Sequence, residues 1–180
     1  MRNQFVIVGM GLLAAAAAGC GATLTTYTKP EAPWDVVHRV AVLPFNLPSE
    51  NPVQRQLMTE LFSQELRRAT PLEVVEVPLQ SAAGSGMVDP KQLAQEYQVD
   101  AIISGSLDDA QGMVLHVRVQ DVSTQELLWS GSYLLGTRAE FFSLHTQQQQ
   151  FQRSFRKLLA RFSREVPLSA PEVSSGEPAG

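Results

Sequence analysis

The 180-residue chain holds one cysteine, Cys20, three histidines, His38, His116 and His145, and one adjacent acid pair, Asp108-Asp109. The histidines fall in three separate predicted elements, without the short His/Cys/carboxylate spacing that a zinc site uses. Asp108-Asp109 has the residue types of a general acid–base pair. Followed by Ala110-Gln111-Gly112, however, the two acids read as turn formers. Gly84-Ser85-Gly86 offers backbone for a phosphate, but no strand-to-helix glycine fingerprint is complete and no Lys-Ser/Thr follows. No enzyme site, metal or cofactor is implied by any of these sets. Cys20 stands apart, because a lone cysteine cannot close an internal disulfide and its thiol must serve something else.

Cys20 lies where an apolar run ends in small residues. Residues 5–18 are uncharged and apolar, preceded by Arg2 and followed by Gly19-Cys20. A cationic start, a short apolar core and a small-residue cleavage site make an export signal. The run is too short to span a hydrocarbon core, which takes about 20 apolar residues. Ala17-Ala18-Gly19-Cys20 resembles the lipobox of bacterial lipoproteins, with Ala17 at a position more often Leu. That resemblance implies cleavage between Gly19 and Cys20 and acylation of the Cys20 thiol. The thiol is then an anchor, and two or more acyl chains suffice for stable membrane attachment. Gly21 is not the Asp that resembles an inner-membrane retention signal, so the same analogy implies the outer membrane, on its periplasmic face.

Removing residues 1–19 takes away Arg2 and no other charge, leaving 13 basic against 18 acidic side chains. An acidic chain of this kind is not built for nucleic acid. The remaining length is that of one domain with a real core.

The elements that would position any site read in order. Residues 21–33 are polar and rich in Thr and Pro, and read as a flexible tether, with the domain beginning at Trp34. Residues 36–43 form a β-branched strand, apolar on both faces from Val40 and stopped by Pro44. Asn51-Pro52 caps and opens a helix whose apolar positions run Val53, Leu57, Met58, Leu61, Phe62, Leu66 and Ala69. Residues 72–77 are a second strand. Asp89-Pro90 opens a short helix to about Tyr97. Residues 99–107 are a third strand. In the fourth, Leu115, Val117 and Val119 alternate with His116, Arg118 and Gln120, which gives it one wet face. Residues 126–135 are the fifth, with Trp129 and Tyr133 read as core. Phe151, Phe155, Leu158, Leu159, Phe162 and Val166 then mark a helix by their 3.6 periodicity, ended by Pro167. Residues 167–180 read as a disordered tail.

The order β-α-β-α-β-β-β-α predicts an α/β fold: a mixed five-stranded sheet with helices packed on it and an antiparallel meander in its C-terminal half. The domain boundaries are 1–19 signal, 20–33 lipidated Cys and tether, 34–166 domain, and 167–180 tail. On the last helix, Arg153, Arg156, Lys157, Arg161 and Arg164 face a single acid, Glu165. Such a face is either a solvated surface suited to a helix C-terminus or a docking surface for an acidic partner, a neighbouring subunit or anionic lipid.

With the strands placed, three motifs resemble one superfamily. Arg39-Val40-Ala41-Val42-Leu43-Pro44-Phe45 is similar to its first strand. Val99-Asp100-Ala101-Ile102-Ile103-Ser104-Gly105 resembles a later one. Val117 to Ser130, through Asp121, Thr124, Leu128 and Trp129, resembles its hairpin, with Gln125 where Gly is common after the Thr. The superfamily is that of the TolB N-terminal-like domain, shared by the curli-secretion, penicillin-binding-protein activator and Pel exopolysaccharide lipoproteins. The resemblance implies a non-enzymatic, lipid-anchored accessory protein of an envelope secretion or assembly system. Exopolysaccharide-type export is favoured, with envelope proteins as partners and an oligomeric ring as one form it could take. The alternative it leaves open is a regulator that binds and activates a periplasmic enzyme such as a peptidoglycan synthase. A pore is not implied, since no spare pair of roughly ten-residue alternating strands is left over.

Overall fold

A computed structural model describes residues 24–48, 51–78, 89–109, 113–136 and 144–168. The signal segment, Cys20, the glycine loop and the tail from residue 169 lie outside the described residues, as does the His145 side chain. Strands β1 (Leu24–Thr28), β2 (Arg39–Val42), β3 (Glu73–Glu76), β4 (Ala101–Asp108), β5 (Met113–Asp121) and β6 (Leu127–Gly136) form one sheet. Their order is β1-β6-β5-β4-β2-β3. The helices are α1 (Pro52–Ala69), α2 (Pro90–Tyr97) and α3 (Leu144–Glu165). β2 pairs in parallel with β3 and β4, and the other pairs are antiparallel. The predicted mixed α/β sheet and its C-terminal meander are therefore present, with one strand more than the five expected.

The sixth strand comes from the segment read as tether. Leu24–Thr28 alternates half-buried and exposed side chains, and runs antiparallel to β6 from Leu24 opposite Tyr133 to Thr28 opposite Trp129. Thr is β-branched and suits a pleated edge, and this edge covers the otherwise open side of β6. The described fold thus takes in Leu24–Thr28, a segment upstream of Trp34. Trp34 itself is buried, in a 3₁₀ turn (Trp34–Val36) that delays the next strand to Arg39. At the other end the last helix starts at Leu144, well before Phe151, and Leu168 packs against the core beyond it.

The caps follow the sequence. The Asn51 side chain accepts from the backbone N–H of Val53 and Gln54, and Asp89 from Lys91, satisfying donors that a helix start leaves without partners. Helices α1 and α3 lie side by side on one face of the sheet and bury its main core. At the centre of this layer Phe45, Phe62 and Phe155 meet with ring centroids 5.3–5.7 Å apart. Phe45 lies flat against Gly105, where a Cβ would come within 2.2 Å of its ring, and Trp129 folds over Gly131 in the same way. Among the described residues, helix α2 covers the opposite face around Ala41, Val77, Ile102 and Val122. The rest of that face carries Ser104, Ser106, His116, Arg118, Ser130 and Ser132, the wet side expected for β5.

The β5–β6 turn is built on Asp121. Its Oδ1 accepts from the backbone N–H and hydroxyl groups of both Ser123 and Thr124 at 2.6–3.0 Å. Partial burial pushes the Asp121 pKa up, but the hydroxyl and amide hydrogen bonds outweigh it and hold the group below its ordinary value. Gln125 closes the turn at φ 60°. A left-handed conformation costs a non-glycine residue about 1–2 kcal/mol, so Gln125→Gly should stabilise the domain. Allowing for the extra freedom glycine gives the unfolded chain, a gain of about 0.5–1 kcal/mol in urea denaturation is expected.

Candidate functional site

The five cations of the last helix, open to reading as a solvated face or a docking face, are all on α3, and the fold uses three of them internally. Arg156 makes a bidentate pair with Glu65 on α1, Nε and Nη2 each 3.0 Å from a carboxylate oxygen. The Glu65 side chain is only 6% exposed and also accepts from Arg68 at 3.1 Å. The hydrogen bonds and charge of Glu65 push the Arg156 pKa up, a guanidinium locked in its charged state. Lys157 Nζ donates to the Tyr133 hydroxyl at 3.1 Å and sits 5.6 Å from that ring's centroid. Arg161 pairs with Glu165 one turn on. Arg153 and Arg164 are exposed and form no ion pair among the described residues. The face that reads as a stripe of five in sequence is thus two free cations flanking three structural ones.

Glu165 was not singled out by sequence reasoning, yet it ties three elements together. Its carboxylate accepts from the Thr26 and Thr28 hydroxyls of β1 at 2.9 and 3.2 Å, and from the Trp129 indole of β6 at 3.1 Å. Partial burial pushes its pKa up. The hydrogen bonds from Trp129, Thr26 and Arg161, with the charge of Arg161, prevail and hold it below the ordinary 4.5. The signal that could have found it was the lone acid in a basic helix, opposite a Thr-x-Thr pair. Asp100 is a second hidden organiser: its Oδ2 accepts from the backbone N–H groups of His38 and Arg39 at 2.9 and 2.8 Å, starting β2.

Among the described residues, those with catalytic potential assemble into no catalytic set. Asp108 ends β4 with Asp109 just after it, and the turn beyond lies outside the described residues. His38 is exposed at the start of β2, far along the sheet from His116. His116 Nδ1 meets Ser132 Oγ at 2.8 Å across the β5–β6 ladder. This is a serine–histidine contact, and its setting decides its role. No carboxylate joins the pair among the described residues, and the adjacent backbone is committed to strand pairing, leaving no obvious donor set for an oxyanion. It is a cross-strand polar pair. An open cleft of about 340 Å³ between Pro44, Thr59, Glu60, Glu76 and Pro78 holds two carboxylates. Each of these is occupied, Glu60 by Gln56 and Glu76 by Arg67. No group of three or more His, Cys, Asp or Glu is disposed to hold a metal ion among the described residues. Trp129 and Tyr133 are 1% and 7% exposed, so they are core residues and not a stacking platform. No described helix is long and apolar enough to cross a membrane.

No family model matches the chain, and no curated protein matches it. Solved structures do. The PelC dodecamer from Paraburkholderia phytofirmans is similar over 79% of this chain and 98% of its own, with 14% identity and a TM-score of 0.58. A variant of that dodecamer in another crystal form gives 79% and 99%, 15% identity and a TM-score of 0.56. The LpoB C-terminal domain from Escherichia coli overlaps 54% of this chain and 82% of its own, at 16% identity and a TM-score of 0.42. At these identities the likeness to PelC is one of fold, and it extends over nearly the whole PelC chain.

Proposed function

We propose that the protein is a non-enzymatic accessory lipoprotein of an envelope secretion or assembly system, of the exopolysaccharide-export kind, acting as an oligomeric ring. The observation that carries this reading is the fold shared with the subunit of a dodecamer along 98% of that subunit. Two sequence features support it: the signal and acylation motif ending at Cys20, and the superfamily motifs, which fall on β2, β4 and the β5–β6 hairpin. In this reading Cys20 holds the domain at the periplasmic face of the outer membrane. Arg153 and Arg164 are the α3 cations left for an envelope partner or a neighbouring subunit, because Arg156, Lys157 and Arg161 are engaged within the fold.

Two measurements test it. The full chain expressed in a Gram-negative host should incorporate radiolabelled palmitate and sediment with outer membranes, and Cys20→Ala should abolish both. Mass photometry of the domain from residue 22 onward should show one discrete large oligomer. A strict monomer at every concentration would remove the ring, and a monomer that captures a peptidoglycan synthase would favour the activator alternative.

A further inference from the structure

We infer that the part of the sheet face left open by the described helices, centred on Arg118, binds an acidic glycan, a polymer with carboxylates on its sugars. The inference deepens the export reading proposed above and rests on it for its occupant. The surface itself is a product of the fold.

Alternation along the strands sets which side chains share this face. Val117 and Val119 are buried in the core under α1 and α3, so Arg118 between them points to the other side. Thr26 and Thr28 donate to Glu165 of α3, so Tyr27 between them also points away from that helix. Strand pairing then lines up four residues in one row across the sheet. Tyr27 is opposite Ser130, Ser130 is opposite Arg118, and Arg118 is opposite Ser104. At a strand spacing of about 4.8 Å the row is about 14 Å long, with Tyr27 and Arg118 about 10 Å apart across Ser130. His116 and Ser132 sit one step along the strands, joined at 2.8 Å. The β5–β6 turn that borders the row is described throughout.

The side chains say what fits there. Arg118 is exposed and forms no ion pair among the described residues, and its neighbours across both strands are neutral hydroxyls. The carboxylates around the row are committed or distant. Asp121 is held by Ser123 and Thr124, and Glu126 by Lys29. Asp108 lies four residues along β4 from Ser104, about 13 Å away. In an acidic chain this is a local point of positive charge, and a guanidinium offers a planar fork that matches a carboxylate. Tyr27 is 48% exposed, presenting an apolar ring face and a polar tip, against which the C–H face of a sugar ring can lie. The short Ser130 between them leaves a shallow notch whose hydroxyls can exchange hydrogen bonds with sugar hydroxyls. A protein partner would want an apolar anchor cluster at the centre, where Ser is depleted, and this row has one aromatic. One guanidinium per subunit binds weakly, but a polymer that reaches several copies in a ring gains through effective concentration.

Polygalacturonate is a suitable probe, with its fully methyl-esterified form as the matched neutral polymer. Binding of the full-length acylated protein in non-ionic detergent is followed by biolayer interferometry at low ionic strength. The parent should bind polygalacturonate and not the ester. Arg118→Gln should weaken binding about tenfold, and Tyr27→Ala about fivefold, with melting temperatures unchanged. Lys91→Ala, which removes an exposed cation on α2 outside the row, should bind as the parent does. Absence of binding, equal binding of the ester, or equal losses in Arg118→Gln and Lys91→Ala would overturn the glycan face. So would Arg118-dependent binding of poly-glutamate without binding of polygalacturonate, which would assign the face to an acidic protein. Mass photometry of the same samples separates the two readings. A discrete oligomer that ignores polygalacturonate overturns the glycan face and leaves the ring, whereas a monomer with Arg118-dependent binding removes the ring and supports the face.

Discussion

Phe155→Ala should lower the stability of the domain by about 3–5 kcal/mol, the largest single-residue effect expected here. Phe155 is fully buried and touches three other rings: Phe62 of α1 at 5.3 Å, Phe45 after β2 at 5.7 Å, and Phe151 one turn earlier at 6.3 Å. Truncation removes the ring's transfer free energy and leaves a hole that its neighbours cannot readily fill. Phe45 is already pressed onto Gly105, and Phe62 is fixed on α1. Against a total of roughly 5–15 kcal/mol, that loss is about a fifth or more of the margin. The melting temperature followed by circular dichroism should fall by roughly 10–20 °C. Arg153→Ala, an exposed change on the same helix, should stay within about 0.5 kcal/mol of the parent. A Phe155→Ala variant that melts with the parent would mean that the three-ring cluster is not what holds α1, α3 and the sheet together.

The second large effect is at Glu165. Glu165→Ala takes the acceptor from the Trp129 indole, which is 1% exposed, and from two Thr hydroxyls and Arg161. A stranded buried donor and the lost charge-assisted hydrogen bonds together cost about 2–4 kcal/mol. The loss should be concentrated in β1, the edge strand that the carboxylate holds, so hydrogen exchange of residues 25–28 should accelerate before the rest of the sheet. Protection of β1 unchanged in the variant would assign its stability to backbone pairing alone. The pH dependence has a definite sign. Because the folded-state pKa is held below 4.5, the stabilisation is complete above the unfolded value and is lost as pH falls through the folded one. Glu165→Gln should therefore be less stable than the parent at pH 7, and the gap should close below about pH 4 as the parent's carboxyl becomes protonated. A gap that stays constant down to pH 3 would show that charge plays no part in the staple. The depressed Asp121 pKa adds to the parent's acid sensitivity, but it is common to both proteins and cancels in the comparison.

Residues that carry their meaning locally were legible without coordinates. Asn51-Pro52 and Asp89-Pro90 mark helix starts because capping involves only neighbouring backbone groups. The Phe151-Phe155-Leu158-Phe162 spacing marks α3 because its period is intrinsic to a helix. The alternation in β5 likewise separated a dry from a wet face. The strand at Leu24–Thr28 was hidden for the opposite reason. A short Thr-rich segment has no pattern that distinguishes a tether from an edge strand, and what orders it is the bare edge of β6 and a carboxylate about 140 positions away. The basic stripe on α3 is resolved in the same manner: sequence counts charges, while only packing reveals that Glu65 and Tyr133 engage Arg156 and Lys157.

The sequence by itself determined the alternation of strands and helices, the two capped helix starts and the dry and wet faces of β5. Each of these depends on residue type or on spacing within a few turns of chain. Tertiary structure decided the sixth strand, the internal use of Arg156, Lys157 and Arg161, and the Glu165 staple. Those features arise from pairs distant in sequence, whose energies exist only once the sheet brings them together.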